Sequence, residues 1–441
     1  MKKSIFLKLL CVLVIIAVPL QGFALTKMSD EDLEKKKEGW YPTGLPLINY
    51  DSDNGLGYGA RIYLYNNGAK DEEYFAYSPY KMQLYAQFYQ TTNGYQYHEI
   101  NLDMPYIAGT KFRVKTSVAF DKKINANYFG LGADRAKQGF LVDTSSPADF
   151  VYEEEFDKYA DFAEYADDSK DYKKYYNYQY TKPSYFLNIY RNLTDELRLL
   201  VGFEVKKVDI DTWGGEDFDG DDQATTLIEQ EQPNGIDGGW SNFARFGLGY
   251  DTRDFEPDPK SGYYVDYSYE VGTEYLGSDY DFYRNTFGAR YYLQILKPLV
   301  LAMRLGYTDI NGSDVPFFEM NTFGFLLNRR NGLGNNRTLR GHKADRYVGK
   351  TMTLGNAELR FKFAEANAGG QNFQFKLTGF YDVGNVYDKW DDPFAEPRFE
   401  DYHHGYGGGL VIAWNLSTIV HFYYGMSEED SSISVDFMHT Y

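Results

Sequence analysis

The last eleven residues of the chain, Ser431 to Tyr441, alternate between apolar and polar side chains with the period of a β-strand, and only His439 breaks the pattern. The apolar row consists of Ile433, Val435, Phe437 and Tyr441. Successive side chains of a strand point to opposite faces, so this strand has one apolar and one polar face. An aromatic residue at the end of such a strand is typical of the closing strand of an outer-membrane β-barrel.

Similar alternation recurs along the chain, in rows near the nine to eleven residues that a tilted membrane strand needs. In residues 261–274, for example, Tyr263, Val265 and Tyr267 alternate with Tyr264, Asp266 and Ser268. The predicted strands are residues 46–53, 55–66, 79–91, 95–106, 111–121, 181–193, 197–209, 240–252, 261–274, 279–294, 297–309, 351–364, 372–384, 404–415, 418–426 and 431–441. The pattern therefore predicts an all-β fold, a 16-stranded antiparallel transmembrane β-barrel.

The predicted connections alternate in length, as they do in bacterial outer-membrane barrels. Residues 108–110 and 415–417 are short turns, whereas residues 122–180, 210–239 and 310–350 are long loops. The first connection on the short-turn side, residues 67–78, is longer than this rule predicts. We expect the short turns at the periplasmic rim, together with both ends of the chain.

The N-terminus has the composition of a signal peptide, which we assign to residues 1–24. A basic start is followed by an apolar run and by Gly22 to Ala24, with small residues at the cleavage positions. Cys11, the single cysteine, lies within it, so the mature chain would have no disulfide and no thiolate chemistry. Residues 25–45 are predicted to be a short periplasmic segment, with a capped helix or a disordered tail at 27–37, and residues 46–441 the barrel.

Charge and composition exclude several functions. The formal net charge of -19 becomes -22 without Lys2, Lys3 and Lys8, so no nucleic-acid partner is expected. After residue 24 no apolar run is long enough for a helical membrane span, whereas aromatic residues at 18% suit a barrel in contact with outer-membrane lipid. No motif of a hydrolase, zinc protease or P-loop enzyme is present, so no enzymatic activity and no cofactor are expected.

Two segments resemble metal sites only weakly. Asp217 to Asp222 alternates carboxylates, but the spacing of its glycine and the residue at position twelve, Ile228, depart from an EF-hand loop. His403 and His404 are adjacent at the start of a strand and would point to opposite faces. We therefore predict no metal site.

Five short motifs, in order along the chain, resemble the BamA/TamA barrels of the bacterial surface antigen family, which act in outer-membrane assembly and secretion. Leu339-Arg340-Gly341-His342 is similar to the tip of that family's sixth extracellular loop, with His342 in place of an aromatic residue. The others are residues 127–132, 250–254 with Pro259 and Gly262, residues 355–360, and residues 379–388. Phe380, Asp382 and Gly384 belong to the last of these, which resembles the family's strand-thirteen signature.

The resemblance implies that loop 310–350 folds into the barrel and that Arg340 pairs there with Glu358 and Asp388. The alternation also places Glu358 on the lumen face of its strand and Asp382 or Asp388 on a neighbouring strand. Such partners are required because an unpaired charge is costly away from water. A solvated Arg340 in an exposed loop is the alternative.

The resemblance also implies a function in outer-membrane protein insertion or translocation. The segment before residue 46 is too short for a POTRA domain, so a separate periplasmic helper is a possible partner, and unfolded outer-membrane proteins are possible clients. Pro46 near the start of the first strand would weaken its ladder with residues 431–441, or simply mark the entry to the barrel. The alternative function is a passive pore or surface antigen without assembly activity.

Overall fold

The computed structural model describes residues 27–51, 55–143, 153–169, 174–213, 226–395 and 399–441, and it confirms the antiparallel sheet of sixteen long strands. The strands are β1 (Trp40–Asp51), β2 (Gly55–Asn66), β3 (Met82–Thr91), β4 (Gln96–Met104), β5 (Phe112–Asn127), β6 (Asn177–Asn192), β7 (Leu197–Asp211), β8 (Phe243–Asp251), β9 (Gly262–Gly272), β10 (Asp281–Leu296), β11 (Leu299–Asp314), β12 (Thr351–Ala368), β13 (Gln371–Tyr387), β14 (His403–Trp414), β15 (Thr418–Met426) and β16 (Ser431–Phe437).

Each strand pairs antiparallel with its neighbours in the sequence, from β1–β2 to β15–β16. A two-residue strand, Gly239–Trp240, also pairs with β7. We call the end of the barrel that carries residues 105–111 and 415–417 the short-turn rim, and the opposite end the long-loop rim.

Short helices and two small hairpins lie in the connections. The helices are α1 (Asp30–Lys35), α2 (Ala133–Ala136), α3 (Tyr159–Ser169), α4 (Leu227–Glu231), α5 (Phe317–Met320) and α6 (Asp392–Ala395), with single 3-10 turns at Ile107–Gly109, Glu274–Leu276 and Phe399–Asp401. The hairpins pair Phe140–Asp143 with Glu153–Phe156 and Thr322–Phe323 with Arg330–Asn331. Within the described ranges, every helix is too short or too polar to cross a bilayer.

The alternation read from the sequence matches the two faces of the wall. In β12, Leu359 and Phe361 are exposed on the outer face, whereas Glu358 and Arg360 are buried on the inner face. In β5, Val118 is 59% exposed and its neighbour Ser117 is buried. Apolar side chains therefore cover the outside, and polar and charged ones line the lumen, as expected for a barrel that contacts lipid.

The two ends of the sheet differ from the prediction. β1 begins at Trp40, not at Pro46, so Pro46 lies in the middle of this strand and part of the predicted periplasmic segment belongs to the wall. β16 ends at Phe437, four residues before the end of the sequence. Both ladders that define these strands, β1–β2 and β15–β16, run without a register shift.

The segment before β1 lies across the short-turn rim. Ser29 caps α1 by accepting a hydrogen bond from the Asp32 amide at 3.1 Å, and the Asp32 carboxylate pairs with Lys260 at 2.6 Å. Lys35, three residues further along the helix, pairs with Glu365 at 2.9 Å. Because Lys260 and Glu365 belong to different hairpins, α1 ties separate parts of the rim together. Of the two predictions for residues 27–37, a capped helix and a disordered tail, the structure has the helix, over Asp30–Lys35.

Candidate functional site

The loop between β11 and β12, residues 315–350, carries its own apolar core. Phe323, Phe325, Leu333 and Leu339 are fully buried there and pack over the inner faces of β12 and β13. The walls provide room for this core. Gly288 and Gly306 are paired across β10 and β11, and a Cβ atom on either would lie 2.8 Å from the Phe325 ring.

Arg340 holds the tip of this loop on β12 and β13. Its Nε and Nη2 atoms donate to the two carboxylate oxygens of Asp382 at 2.7 Å each, and Nη1 donates to Glu358 at 2.7 Å. All three side chains are buried, and the guanidinium stacks 3.5 Å from the centre of the Phe380 ring. Bidentate pairing and ring stacking are the geometry that a guanidinium provides and an ammonium does not.

Two further side chains, Asn356 and Arg360, bind the carboxylates that pair with Arg340. Asn356 donates to Asp382 at 2.6 Å and to the Thr338 carbonyl at 2.7 Å, so it links the loop backbone to the same carboxylate. Arg360 donates from Nε to Glu358 at 2.9 Å. Two arginines thus meet two carboxylates, and the buried group is electrically neutral.

Of the two aspartates considered as partners of Arg340, Asp382 occupies that position and Asp388 does not. The Asp388 carboxylate instead accepts a hydrogen bond from the Ala133 amide at 3.0 Å, near the long-loop rim. The pairing of Arg340 with Asp388 is therefore wrong in this structure. Gly384, also in the β13 motif, leaves space for the loop, since a Cβ there would lie 2.7 Å from Leu333.

Gly341 follows Arg340 at a position where a side chain cannot be accommodated. Its φ of 91° is in the left-handed region, and a Cβ would lie 2.5 Å from the backbone of Met426 in β15. We expect Gly341→Ala to destabilise the barrel by about 1–3 kcal/mol, measured by urea unfolding in detergent, because both strain and contact oppose the change. Gly369→Ala, at a turn where φ is also positive (57°) but nothing lies near the Cβ, is the control for the contact, and an equal loss in both variants would contradict a contribution from Met426.

His342 fills the aromatic position of the motif. Its ring packs edge-on against Tyr347 at 5.3 Å, and its Nε2 and Nδ1 atoms are 3.0 Å from the His404 carbonyl and 3.1 Å from the Tyr347 hydroxyl. His403 stacks on Tyr347 at 3.7 Å. The imidazole thus packs as an aromatic ring and also forms hydrogen bonds.

Glu429, in the connection between β15 and β16, contacts His342 and Arg346 of the loop. Burial alone would raise its pKa, but the hydrogen bond with His342 and the charge of Arg346 lower it to about 2. Arg346 donates to both Glu429 oxygens at 2.9 Å. The connection that leads into β16 is therefore bound to the loop by a charged contact.

This contact predicts a pH dependence. The folded pKa of Glu429 lies below the unfolded value near 4.5, so the stabilisation is complete above pH 4.5 and is lost as the pH falls towards 2. Because the carboxylate is partly exposed, we expect a loss of about 1–2 kcal/mol in the free energy of unfolding between pH 6 and pH 2.5. Glu429→Gln should lack this part of the pH dependence, and an unchanged difference between the two pH values would refute the assignment.

A second charged group, which the sequence analysis missed, fixes the other half of the loop. Glu319 is fully buried, pairs with Arg284 of β10 at 2.8 Å, and accepts a hydrogen bond from Ser241 at 2.6 Å. Glu270 of β9 pairs with Arg245 of β8 at 2.8 Å and also with Arg284. The alternation of β9 and β10 could have placed Glu270 and Arg284 in the lumen, but no local signal identified Glu319.

The residues after β16 leave the wall and enter the lumen. Met438 has a φ of 65°, which turns the chain, and His439 then places Nε2 2.9 Å from the carboxylate of Asp258. Asp258 lies in the turn 252–261, which folds into the lumen from the short-turn rim, and it also pairs with Lys376 of β13. The misfit of His439 in the alternating row thus marks the place where the strand has already ended.

Tyr441 is accordingly not part of a closing strand, and that prediction is wrong. Its hydroxyl donates to the Ala302 carbonyl at 3.0 Å, and its ring lies 4.8 Å from the Arg304 guanidinium and 5.5 Å from that of Arg360. Phe437 does belong to the strand, but it is buried against Arg61 of β2. The row of outer apolar residues in β16 therefore ends at Val435.

The first and last strands face each other without a ladder. Over Trp40–Asp51 and Ser431–Phe437, both of which the structure describes, β1 pairs only with β2 and β16 only with β15. The contact across this seam is made by side chains near the short-turn rim, where Thr43 of β1 and Thr418 of β15 place their hydroxyl oxygens 2.8 Å apart. β1 reaches past β16 to β15 there because β16 has ended.

The lumen contains a cavity of about 950 Å³ that extends to this seam. Its lining includes Leu45 and Leu47 of β1 and, from the other side of the seam, Phe422 and Val435. Most of the remaining lining is charged or tyrosine-rich. The site is therefore a largely polar chamber beside two unpaired strand edges, and residues of loop 315–350 form part of its lining.

The two-faced wall and charged lumen define an outer-membrane β-barrel protein. The chain belongs to the Omp85 superfamily, whose domain matches residues 81–428. A domain of unknown function, DUF5982, matches residues 21–81, which include α1, β1 and β2. No curated protein sequence matches the chain.

Solved structures of related barrels align over most of this chain at low identity. BamA from Haemophilus ducreyi lacking POTRA domains 1–3 is 13% identical, with 91% of this chain and 69% of that chain covered at a TM-score of 0.47. CdiB from Escherichia coli is 9% identical, with 91% and 61% covered at a TM-score of 0.51. The chain thus spans about two thirds of these relatives, and the likeness to CdiB supports the fold alone.

The two segments that weakly resemble metal sites can be located as follows. Asp217 to Asp222 lie outside the described residues, as do the predicted signal peptide and the turn at 52–54. His403 and His404 point to opposite faces, the first stacking on Tyr347 inside and the second placing Nδ1 2.8 Å from the Tyr381 hydroxyl.

Proposed function

We propose that this protein acts in the insertion or translocation of proteins at the outer membrane and that the seam between β1 and β16 is its working site. The observation that carries the proposal is the absence of a ladder between these two strands, within the parts of both that the structure describes. Membership of the Omp85 superfamily and the five BamA/TamA-like motifs support the same function.

An unpaired edge in a bilayer has a physical cost that a client strand could remove. Backbone N–H and C=O groups in hydrocarbon need internal partners, and each one left without a partner costs several kcal/mol. Pro42 and Pro46 lack an N–H group, and prolines are tolerated mainly in edge strands. An extended polypeptide that adds to either edge would satisfy the remaining groups, as in β-strand addition.

The inward loop and the cavity give this seam a defined chamber. Arg340 and Glu319 fix the loop at two buried charged groups, so its far side borders the cavity as a rigid wall. The chamber contacts both the water of the lumen and the seam. We therefore propose a non-enzymatic function in which a polypeptide passes from this chamber to the membrane through the seam.

The test is depletion of the protein followed by quantitative comparison of the outer-membrane proteome. The proposal predicts that a set of other barrel proteins or exported proteins falls in abundance and recovers when the wild-type chain is restored. Unchanged levels of every other outer-membrane and exported protein would contradict it and would favour a passive pore or a surface antigen. Conductance of the purified protein in planar bilayers would then distinguish those two.

A further inference from the structure

More basic than acidic side chains line the cavity beside the seam, although the chain as a whole is acidic. Its lining contains twelve lysines and arginines and seven aspartates and glutamates, an excess of five, whereas the formal charge of the whole chain is -19. The cations are Arg61, Arg113, Lys115, Lys123, Lys182, Lys206, Arg245, Arg253, Arg290, Arg329, Arg330 and Arg337.

The carboxylates in this lining are largely occupied by other cations. Asp103 and Glu256 both bind Arg113, at 2.5 Å and 2.9 Å. Asp436 binds Arg337, and Glu204 binds Arg329 at 2.8 Å. Four further cations of the lining pair with carboxylates that lie outside it: Lys206 with Glu319, Arg245 with Glu270, Arg253 with Asp251 and Arg290 with Asp266.

Arg330 and Lys115 are the clearest of the remaining basic groups. Among the described residues, neither has a carboxylate oxygen within 4.0 Å. Arg330 donates only a long bond, 3.4 Å, to the carbonyl of Arg329, and Lys115 donates to the Leu327 carbonyl and the Asn328 side chain. Both line the cavity, and each lies within the electrostatic range of the other.

This arrangement is unfavourable for the protein alone. Burial and the charges of Arg337 and Arg304 lower the pKa of Arg330 well below its usual value. A guanidinium nevertheless stays protonated in proteins, so Arg330 is a half-buried charge without a carboxylate partner. The fully buried Arg340, by contrast, pairs with Glu358 and Asp382.

We propose that the cavity is a binding site for a phosphate-bearing anion, held by Arg330 and Lys115. Phosphate oxygens match the fork of a guanidinium and accept hydrogen bonds from an ammonium. The phosphate could belong to a soluble molecule that enters from a rim or to a lipid headgroup that enters at the seam.

Isothermal titration calorimetry tests this site, with the full chain in neutral detergent at low salt and with pyrophosphate as the probe. We expect saturable binding that weakens as salt is added. Arg330→Gln combined with Lys115→Gln should raise the Kd about tenfold or more, because two charge-assisted contacts are lost. Lys70→Gln combined with Lys111→Gln removes the same charge from the exposed rim and should leave the Kd unchanged.

The melting temperature provides a second measurement. A purely structural role of Arg330 would predict that its replacement lowers the melting temperature, whereas a binding role predicts the opposite. Without ligand, Arg330→Gln should raise the melting temperature, since it removes an unpaired charge, and pyrophosphate should stabilise the wild type but not this variant. Absence of saturable pyrophosphate binding to the wild type would overturn the proposal. A lowered melting temperature with unchanged binding in the variant would do so too.

A competition arm distinguishes the two sources of the phosphate. Micelles that contain phosphatidylglycerol should displace pyrophosphate if lipid headgroups reach the site, and micelles of neutral lipid should not. Displacement assigns the site to a lipid headgroup. Pyrophosphate binding without displacement assigns it to a soluble phosphate compound.

Discussion

A disulfide across the seam is expected to abolish the activity of this protein while leaving its barrel folded. The hydroxyl oxygens of Thr43 in β1 and Thr418 in β15 are 2.8 Å apart and buried, so Thr43→Cys with Thr418→Cys places two sulfur atoms within bonding reach. The disulfide would join β1 covalently to β15 and so hold β1 beside β16. If a client passes between β1 and β16, its assembly should stop under oxidising conditions and resume on reduction.

The chain offers a matched control for this staple. Thr286 of β10 and Thr308 of β11 are another buried threonine pair, with hydroxyl oxygens 3.0 Å apart, but these two residues face each other within the hydrogen-bonded ladder of their strands. The disulfide Thr286→Cys with Thr308→Cys should leave assembly unchanged in both redox states. Equal activity of the oxidised seam variant and the oxidised control would show that the seam does not open.

Replacement of Arg340 by alanine is expected to cause the largest loss of stability of any single change in the loop. The variant leaves Asp382 buried without a cation and removes one of the two cations at Glu358. Breaking a buried ion pair on one side costs about 3–5 kcal/mol, because the remaining charge keeps its desolvation penalty. Urea unfolding, followed by the heat-dependent mobility of the folded barrel in gels, measures this loss.

Removal of the unpaired Asp382 charge should restore part of the stability that is lost with Arg340. We expect Arg340→Met combined with Asp382→Asn to be more stable than Arg340→Met alone, because the buried aspartate charge is then absent. Arg191→Ala, at an exposed site of β6, is the control and should change the free energy of unfolding little. If Arg340→Ala were as stable as Arg191→Ala, the loop would not depend on this ion pair.

The wall of the barrel could be predicted from the sequence because its signal is local. Each strand must alternate between lipid and lumen, and rows such as Leu359 and Phe361 against Glu358 and Arg360 record that alternation directly. The strand count and the side of Glu358 follow from it. The position of Arg340 needed the resemblance of the loop tip to a known motif, since the loop residues around it carry no periodic pattern.

The parts that could not be predicted depend on contacts distant in sequence. The pairing of Glu319 with Lys206 and Arg284 joins three elements of the fold, and no pattern in one of them reveals the other two. The inward turn after Phe437 was hidden because Tyr441 continues the apolar row in sequence although the chain has left the wall. Proline also misled the prediction at β1, since an edge strand tolerates Pro46 in its interior.

The most direct test of the central claim is site-specific photocrosslinking to a client protein in reconstituted membranes. A photoreactive phenylalanine analogue replaces Ile433 of β16, beside the seam, or Leu305 of β11, which is equally apolar, outward and exposed but lies in a continuous part of the wall. A barrel protein added in the unfolded state should crosslink at position 433 and not at 305. Crosslinking at neither position, or at both alike, would contradict a function that depends on the seam.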